Sequence, residues 1–285
     1  MGRILSKIEA EKTKEPLEAL IDDLTRIKKI MEDDSLSKEE RERQRDTILD
    51  KNLNEIKSLL DQFQIKSIGG AWDFSKEKAM DIFTEDEVIY LRGYRETENE
   101  WIRQIQKENS NDPEIYNDDW VWKVSSKWLK EDRAFVCSIF EKAQGNYIGY
   151  ISLKNTERNL WEISIELLEK FCNKGYGTRA IKLFLPAISA VSGKTQFQAL
   201  VETDNIPSQL LMEKCGAKLI DIYDYSYDGD EEAATLFEES HLEMITERMV
   251  TLAAQIHVEP RQLLSHVLDY RFFVEDGKIL DKARR

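Results

Sequence analysis

The chain has 285 residues, of which 41% are hydrophobic and 34% charged, so it is typical of a soluble protein with a core and unlike a disordered chain. The formal net charge of −14 argues against nucleic acid as the main partner, because phosphate binding requires a basic face. No apolar run approaches the ~20 residues of a membrane span, and Cys137, Cys172 and Cys215 are too widely spaced for a metal site. We therefore expect a cytoplasmic protein with free thiols.

Two amphipathic helices are predicted at the N-terminus. Apolar residues recur three or four positions apart from Pro16 to Met31, and a capping box at Ser37 to Glu40 precedes a second stripe. That stripe comprises Leu49, Leu53, Ile56, Leu60 and Phe63. The pattern predicts a helical hairpin over residues 1–70 that ends at Gly69-Gly70. Packing on the main domain or on a second subunit is the first interpretation, and docking of another protein is the alternative.

The pattern of apolar and turn residues over 71–285 predicts a single domain in which helices and strands are mixed. Strands are expected at 88–92, 134–141, 147–153, 161–168, 197–202, 217–223 and 269–275. Helices are expected at 96–105, 120–129, 179–191, 208–214 and 231–256, with a shorter helix from Pro260. Acidic residues are frequent where the long helical segment at 228–266 begins, and this segment is either a wall for a cationic ligand or an ordinary solvated surface.

A glycine-rich turn joins the strand at 161–168 to the helix that follows it. The first N–H groups of a helix and its dipole favour an anion, and glycine lets the backbone approach a phosphate closely. We therefore expect both Gly175 and Gly177 to make room for a diphosphate, with Lys174 beside it. Gly175 to Ala180 also match the dinucleotide pattern G-x-G-x-x-A, although that pattern belongs in the first turn of a parallel sheet. A tight turn that binds nothing is the third interpretation.

Two motifs in register resemble the GNAT family of acetyl-coenzyme-A-dependent N-acetyltransferases. The first is the glycine signature at Cys172–Gly177, and the second is Asn-x-x-Ser-x-x-Leu-Met-Glu-Lys-x-Gly at Asn205–Gly216. The resemblance covers about Glu87 to Tyr223, and Asp269–Glu275 supplies the last strand. The pattern is most similar to the branch that acetylates the N-termini of ribosomal proteins.

The resemblance implies an α+β fold with a mixed, mostly antiparallel sheet and flanking helices. To this GNAT domain, at 71–285, the chain adds the N-terminal hairpin and a C-terminal helical insertion at about 228–266. The family's central strand is splayed from its neighbour, and acetyl-CoA binds there as cosubstrate without a metal.

The cofactor contacts implied by the resemblance lie on the central strand and in the glycine turn. Pantetheine is expected to pair with the backbone around Ile165, Glu166 and Leu167, and Asn205 to contact it or to shape the wall beside it. The diphosphate is expected on the backbone of the turn, which comprises Cys172, Asn173, Lys174, Gly175, Tyr176, Gly177 and Thr178.

Acetyl transfer requires the acceptor amine to lose a proton, so a carboxylate near the thioester is useful as a base. Glu162 lies on the central strand where many family members place this glutamate, and Glu166 has the same parity along the strand. A solvated strand carboxylate is the competing interpretation for Glu162. The tyrosine that often protonates the departing thiolate aligns with Met212, which cannot donate a proton. Tyr223 and Tyr225 are the candidate replacements.

The sequence therefore predicts an N-acetyltransferase that moves an acetyl group from acetyl-CoA to a primary amine by direct attack. The acceptor is expected to be a small cationic molecule or a peptide or protein amine. Nucleic acid and membranes are not expected as partners, whereas a homodimer or a protein partner is expected at the N-terminal hairpin. The alternative is a non-catalytic module that binds acyl-CoA or docks another protein, in which Met212 marks lost chemistry.

Overall fold

The computed structural model describes residues 22–23, 25–33, 35–62, 72–224, 227 and 230–280. The chain divides into two compact units between residues 66 and 67. No helix in the described ranges is both long and apolar enough to cross a membrane.

The described part of the N-terminal unit contains helical residues on either side of a non-helical connection at residues 32–33 and 35–37. Residues 25–31 are helical, and helix α1 spans Lys38–Gln62. The Ser37 hydroxyl accepts the Glu40 N–H at 3.2 Å, so the predicted start of this helix is confirmed. The Gly69-Gly70 boundary, together with Leu17, Ile21, Leu24 and Phe63, lies outside the described residues.

The second unit is built on one twisted sheet with helices on its faces. Its strands are β1 (Thr84–Glu85), β2 (Ile89–Gly93), β3 (Phe135–Glu141), β4 (Tyr147–Lys154), β5 (Trp161–Leu167), β6 (Gln196–Val201), β7 (Lys218–Tyr223), β8 (Val267–Glu275) and β9 (Lys278–Ile279). Its α-helices are α2 (Ser75–Ala79), α3 (Asn99–Asn109), α4 (Asp119–Ser125), α5 (Tyr176–Ser192), α6 (Ile206–Lys214), α7 (Glu231–Ser240) and α8 (Glu247–Ile256).

The sheet is mostly antiparallel, as the resemblance implies. Its order is β1-β2-β3-β4-β5-β6-β8-β7, with β9 paired to β8, and within this order only β5 and β6 run parallel. This connection requires a crossover, which α5 provides because it leaves the end of β5 and returns the chain to the start of β6.

The period-two alternation of β5 puts its apolar side chains on one face of the sheet and its polar side chains on the other. Trp161 and Ile163 pack in the larger core together with the buried face of α5, which contributes Ala180, Ile181, Phe184, Leu185 and Ile188. The smaller core lies under α3 and includes Ile102, Ile105, Tyr147 and Tyr150. The apolar side chains of β5 therefore anchor the strand in the larger core, and its polar side chains, which include Glu162 and Glu166, lie on the opposite face.

Several predicted elements differ in extent from those observed. The helix expected at 120–129 ends at Ser125 and is followed by a 3₁₀ turn at Lys127–Lys130. The helix expected at 231–256 is two helices, because Thr246 caps a new one by accepting the Met249 N–H at 3.2 Å. The sequence prediction also missed α2, β1 and β9.

Candidate active site

A gap opens between the two parallel strands β5 and β6. They pair only at Trp161 with Phe197 and at Glu162 with Gln198. Beyond this point β5 continues on β4 as far as Leu167, whereas β6 continues on β8 as far as Val201. The splayed central strand that the resemblance implies is therefore present.

The backbone of β5 turns hydrogen-bonding groups toward this gap. Leu168 donates its N–H to the Ile148 carbonyl of β4 at 2.9 Å. Because successive residues of an antiparallel strand alternate between bonding toward and away from the partner strand, Ile165 and Leu167 direct their N–H and C=O groups away from β4. An extended ligand can pair with these two residues as an additional strand would.

The turn between β5 and α5 has a backbone shape that favours an anion. Asn173 has φ 59° and Gly175 has φ 85°, so both adopt the left-handed conformation. Gly175 is the N-cap of α5 and caps it without a side-chain hydrogen bond. The N–H groups of the first turn of a helix have no partner within the helix, and alternating backbone conformations of this kind form anion-binding concavities.

The two glycines of this turn are required for different reasons. A Cβ at Gly175 would meet no atom within 4 Å, so its left-handed φ explains the glycine and the space beside it is open. A Cβ at Gly177 would lie 3.2 Å from Leu211 Cδ2 and 3.7 Å from Leu167 Cδ1. The missing side chain of Gly177 therefore lets α5 pack against α6 and β5, and the contact of its backbone with a diphosphate stays a prediction.

The side chains around this turn are engaged with neighbouring elements. The Tyr176 hydroxyl donates to Glu141 Oε1 at 2.6 Å, which lowers the pKa of the Glu141 carboxyl and raises the pKa of the Tyr176 phenol. Arg179 forms ion pairs with Asp86 at 2.8 Å and with Glu87 at 2.7 Å. Lys174 Nζ lies 5.8 Å from the centre of the Phe171 ring. Tyr176 is thus left to contribute its backbone N–H, and Lys174 is the cation next to the turn.

Glu162 and Glu166 lie on the same strand but have different surroundings. Glu166 Oε2 accepts hydrogen bonds from two amides of α3, Gln106 Nε2 at 3.0 Å and Asn109 Nδ2 at 3.1 Å. Glu162 Oε2 accepts from Asn155 Nδ2 at 3.3 Å and also lines a cavity of about 200 Å³.

This acceptor-side cavity lies where β5 and β6 are still paired, at the closed end of the gap. Its polar lining comprises Asn155, Arg158, Glu162, Gln198, Tyr223 and Asp224. Glu162 and Asp224 supply two carboxylates, and Tyr223 supplies a phenol that is 38% exposed. The sequence predicts Glu162 as a candidate base and Tyr223 as a candidate proton donor, whereas Gln198, Arg158 and Asn155 belong to no motif and were not predicted.

The second motif has a structural role at the start of α6. Asn205 is the N-cap, and its Oδ1 accepts the Ser208 N–H at 3.1 Å. Buried Gln209 donates to the Glu202 and Thr203 carbonyls at 3.1 and 2.9 Å, and its Oε1 accepts Arg248 Nε at 2.6 Å. Arg248 lies in the first turn of α8, so the C-terminal insertion is linked through Gln209 to the loop that follows β6.

The position that aligns with the family's tyrosine carries no proton donor. Met212 is 4% exposed and packs in the larger core. Tyr225 lies outside the described residues, which leaves Tyr223 as the candidate that the structure places beside Glu162.

The thiols near the gap are held in their neutral form. Burial, with a smaller contribution from Glu108 and Glu169, raises the pKa of Cys172. Burial raises the pKa of Cys215 to about 11. A thiol rather than a thiolate at neutral pH is a weak nucleophile, so neither cysteine is arranged for covalent catalysis. Among the residues that the structure describes, no cluster of three or more His, Cys, Asp or Glu side chains suits a metal ion.

Residues 82–218, just under half of the chain, match the family model of the acetyltransferase (GNAT) domain. Over these residues the chain resembles a GNAT acetyltransferase domain. The interpretation of the glycine turn as a dinucleotide fingerprint is thereby set aside, because β5 and its turn lie inside this domain and after antiparallel strands. A search of curated protein sequences finds no match.

Solved structures similar to this chain include acetyltransferases of low sequence identity. A chimera of the spermidine N-acetyltransferase SpeG from Vibrio cholerae and hSSAT is 15% identical, with coverage of 65% of this chain and 95% of that chain and a TM-score of 0.45. A putative ribosomal-protein-serine acetyltransferase from Vibrio cholerae is 14% identical, with coverage of 69% and 99% and a TM-score of 0.43. The ribosomal L7/L12 acetyltransferase RimL in complex with coenzyme A is 13% identical, with coverage of 68% and 98% and a TM-score of 0.47. Likenesses this low carry no conclusion about the acceptor.

Proposed function

We propose that the GNAT domain transfers an acetyl group from acetyl-CoA to a primary amine. The observation that carries this proposal is the gap between β5 and β6, which has an anion-binding turn at its open end and a carboxylate at its closed end. Acetyl-CoA supplies the thioester, whose carbonyl carbon the amine attacks as the CoA thiolate leaves.

The open end of the gap is assigned to cofactor binding. The backbone N–H groups from Asn173 to Thr178 hold the diphosphate, and Ile165 and Leu167 pair with the pantetheine arm. Lys174 adds positive charge beside the turn. Asn205 shapes the wall on the other side through its cap on α6, since its Oδ1 is already used by Ser208.

The closed end of the gap is assigned to the acceptor. Glu162 takes the proton from the ammonium group, directly or through a water molecule, which generates the neutral amine that attacks. After the C–N bond forms, the nitrogen releases its second proton to water, and Tyr223 gives its phenol proton to the sulfur and regains one from solvent. Because thiols have a pKa near ~8.5, a thiolate leaves without much help, so the lack of a donor at Met212 is tolerated.

The acceptor class follows from the charges of the cavity. Two carboxylates, Glu162 and Asp224, line it together with the single cation Arg158. We infer a cationic amine, whether a small molecule or the amine of a peptide. Glu166 accepts hydrogen bonds from two side-chain amides of α3, and its role is to fix the position of α3 on β5.

A non-catalytic acyl-CoA-binding module is the second candidate, and buried Met212 is the observation that favours it. Release of CoA thiol, measured with acetyl-CoA and a panel of small polyamines and peptide amines, distinguishes the two. Amine-dependent thiol release supports the enzyme. Tight CoA binding without thiol release on any amine supports the binding module. The role of the N-terminal helices as a surface for a second subunit or another protein stays a prediction.

A further inference from the structure

A second cavity, of about 260 Å³, lies between α5, the end of α6 and the β8–β9 hairpin, and three lysines line it. Lys182 comes from α5, Lys214 from the last turn of α6, and Lys278 from β9 after the β8–β9 turn. Cys215 and Gly216 also line this cavity. Three segments far apart in sequence thus bring three ammonium groups around one space.

The charge of these lysines is not neutralised locally. In the described part of the chain, no carboxylate lies within 4.0 Å of the Nζ atom of Lys182, Lys214 or Lys278. The neighbouring carboxylate of Glu213 is turned to the Tyr270 hydroxyl at 3.2 Å and to Arg248 at 3.8 Å. Asp276, in the adjacent turn, is exposed. An anion would therefore find several donors here, and a phosphate dianion matches them in charge better than a carboxylate does.

The cavity is close to the turn that we assign to the diphosphate. A Cβ at Gly177, in the first turn of α5, would lie 3.2 Å from Leu211 Cδ2 of α6, and the Cys215 N–H donates to the Leu211 carbonyl at 3.0 Å. Gly177 and Lys182 are five residues apart on the same helix, which corresponds to about 7–8 Å along its axis. In CoA the 3′-phosphate is separated from the diphosphate by only one ribose. A ligand whose diphosphate sits on the turn can therefore place a second phosphate group here.

We propose that this lysine cavity binds a phosphate monoester, and that its source is the 3′-phosphate of CoA. This inference rests on the proposed function. A separate phosphorylated compound shares the same chemistry, and the experiment below distinguishes the two sources.

The test compares CoA with dephospho-CoA, which lacks only the 3′-phosphate, by isothermal titration calorimetry on the full chain. We expect the unmodified protein to bind CoA about tenfold or more tightly than dephospho-CoA. In Lys278→Ala this preference should fall severalfold, through weaker CoA binding with unchanged dephospho-CoA binding. Lys218→Ala is the matched control, because Lys218 Nζ lies over the Phe273 ring at 5.9 Å outside the cavity lining.

Equal affinity for the two nucleotides in the unmodified protein overturns the proposal. So does a Lys278→Ala variant that retains the full preference for CoA. If inorganic phosphate binds to the CoA-saturated protein and this binding is lost in Lys278→Ala, the source is a free phosphate and the assignment to CoA is wrong. If neither nucleotide binds, the proposed function fails. The cavity is then tested with inorganic phosphate alone, whose binding and loss in Lys278→Ala support an anion site and whose absence overturns it.

Discussion

The two ends of the gap between β5 and β6 are built in different ways. The open end comes from consecutive residues, 165–178, and acts mainly through backbone groups. The closed end combines side chains from three separate segments, which include Glu162, Gln198 and Tyr223. The residues of the open end are consecutive, so a sequence motif can identify them. The residues of the closed end come together only after strands that are distant in sequence have paired. In the function that we propose, the open end binds CoA through backbone groups, and the closed end contains the side chain that takes part in the reaction, Glu162.

The largest effect is expected at the closed end, in Glu162→Gln. The amide keeps the size of the side chain but cannot accept the amine proton, so kcat should fall about 100- to 10,000-fold. The Kd for CoA should be unchanged, because the diphosphate turn is untouched. Steady-state kinetics and calorimetry measure these two quantities.

Glu166→Gln is the matched control for that variant. It changes the same residue type on the same strand, where the carboxylate accepts amide bonds from Gln106 and Asn109 instead of lining the cavity. We expect kcat to change less than threefold. Equal losses in the two variants would contradict the assignment of Glu162 as the base.

The next effect is expected at the open end, in Gly175→Glu. The substitution places a negative charge in the anion-binding turn and strains a left-handed backbone, so CoA affinity should fall about 10- to 100-fold. Gly193→Glu is the control, since Gly193 has φ 72°, has the same open surroundings and caps the other end of α5. If both variants bind CoA as the unmodified protein does, the diphosphate is held elsewhere.

In Gly177→Val we expect a loss of stability instead of a loss of CoA affinity. The new side chain would collide with Leu211, so unfolding free energy should drop by about 1–3 kcal/mol. Urea unfolding measures this change. The double variant Gly177→Val with Leu211→Ala should recover part of the loss, because the smaller side chain frees the space. An unchanged unfolding midpoint in the single variant would refute the packing role.

The smallest effect is expected in Tyr223→Phe, which removes the phenol from the acceptor-side cavity. A thiolate is a tolerable leaving group, so kcat should fall only about tenfold or less. A deuterium solvent isotope effect that changes in the variant would support a proton from Tyr223. A kcat identical to that of the unmodified protein would assign protonation of the sulfur to solvent.

The sequence predicted the features that depend on local chain geometry. The strand at 161–168, the helix after it and the glycine turn are present because left-handed backbone and helix starts have specific residue requirements. The packing role of Gly177 was not predicted, since it depends on Leu211, which is 34 positions away on α6. The hairpin of β8 and β9 was missed although Asp276-Gly277 is a strong signal for a two-residue turn.

The acceptor-side cavity could not be predicted as a whole for a physical reason. Arg158, Gln198 and Asp224 belong to a loop, a strand and a strand end with no shared motif, and only the sheet order brings them together. The link from Arg248 to Gln209 is similar, because it depends on how the insertion folds back on α6. Such contacts depend on tertiary packing, which residue spacing does not encode.

The claim on which everything else depends is that backbone amides at the mouth of α5 and on β5 hold CoA. Hydrogen–deuterium exchange of the full chain, with and without CoA, tests it most directly. We expect slower exchange on CoA binding at the amides of residues 173–178 and at Ile165 and Leu167, with no change at the Gly193 end of α5. Unchanged exchange at residues 173–178 in the CoA-saturated protein would contradict the account.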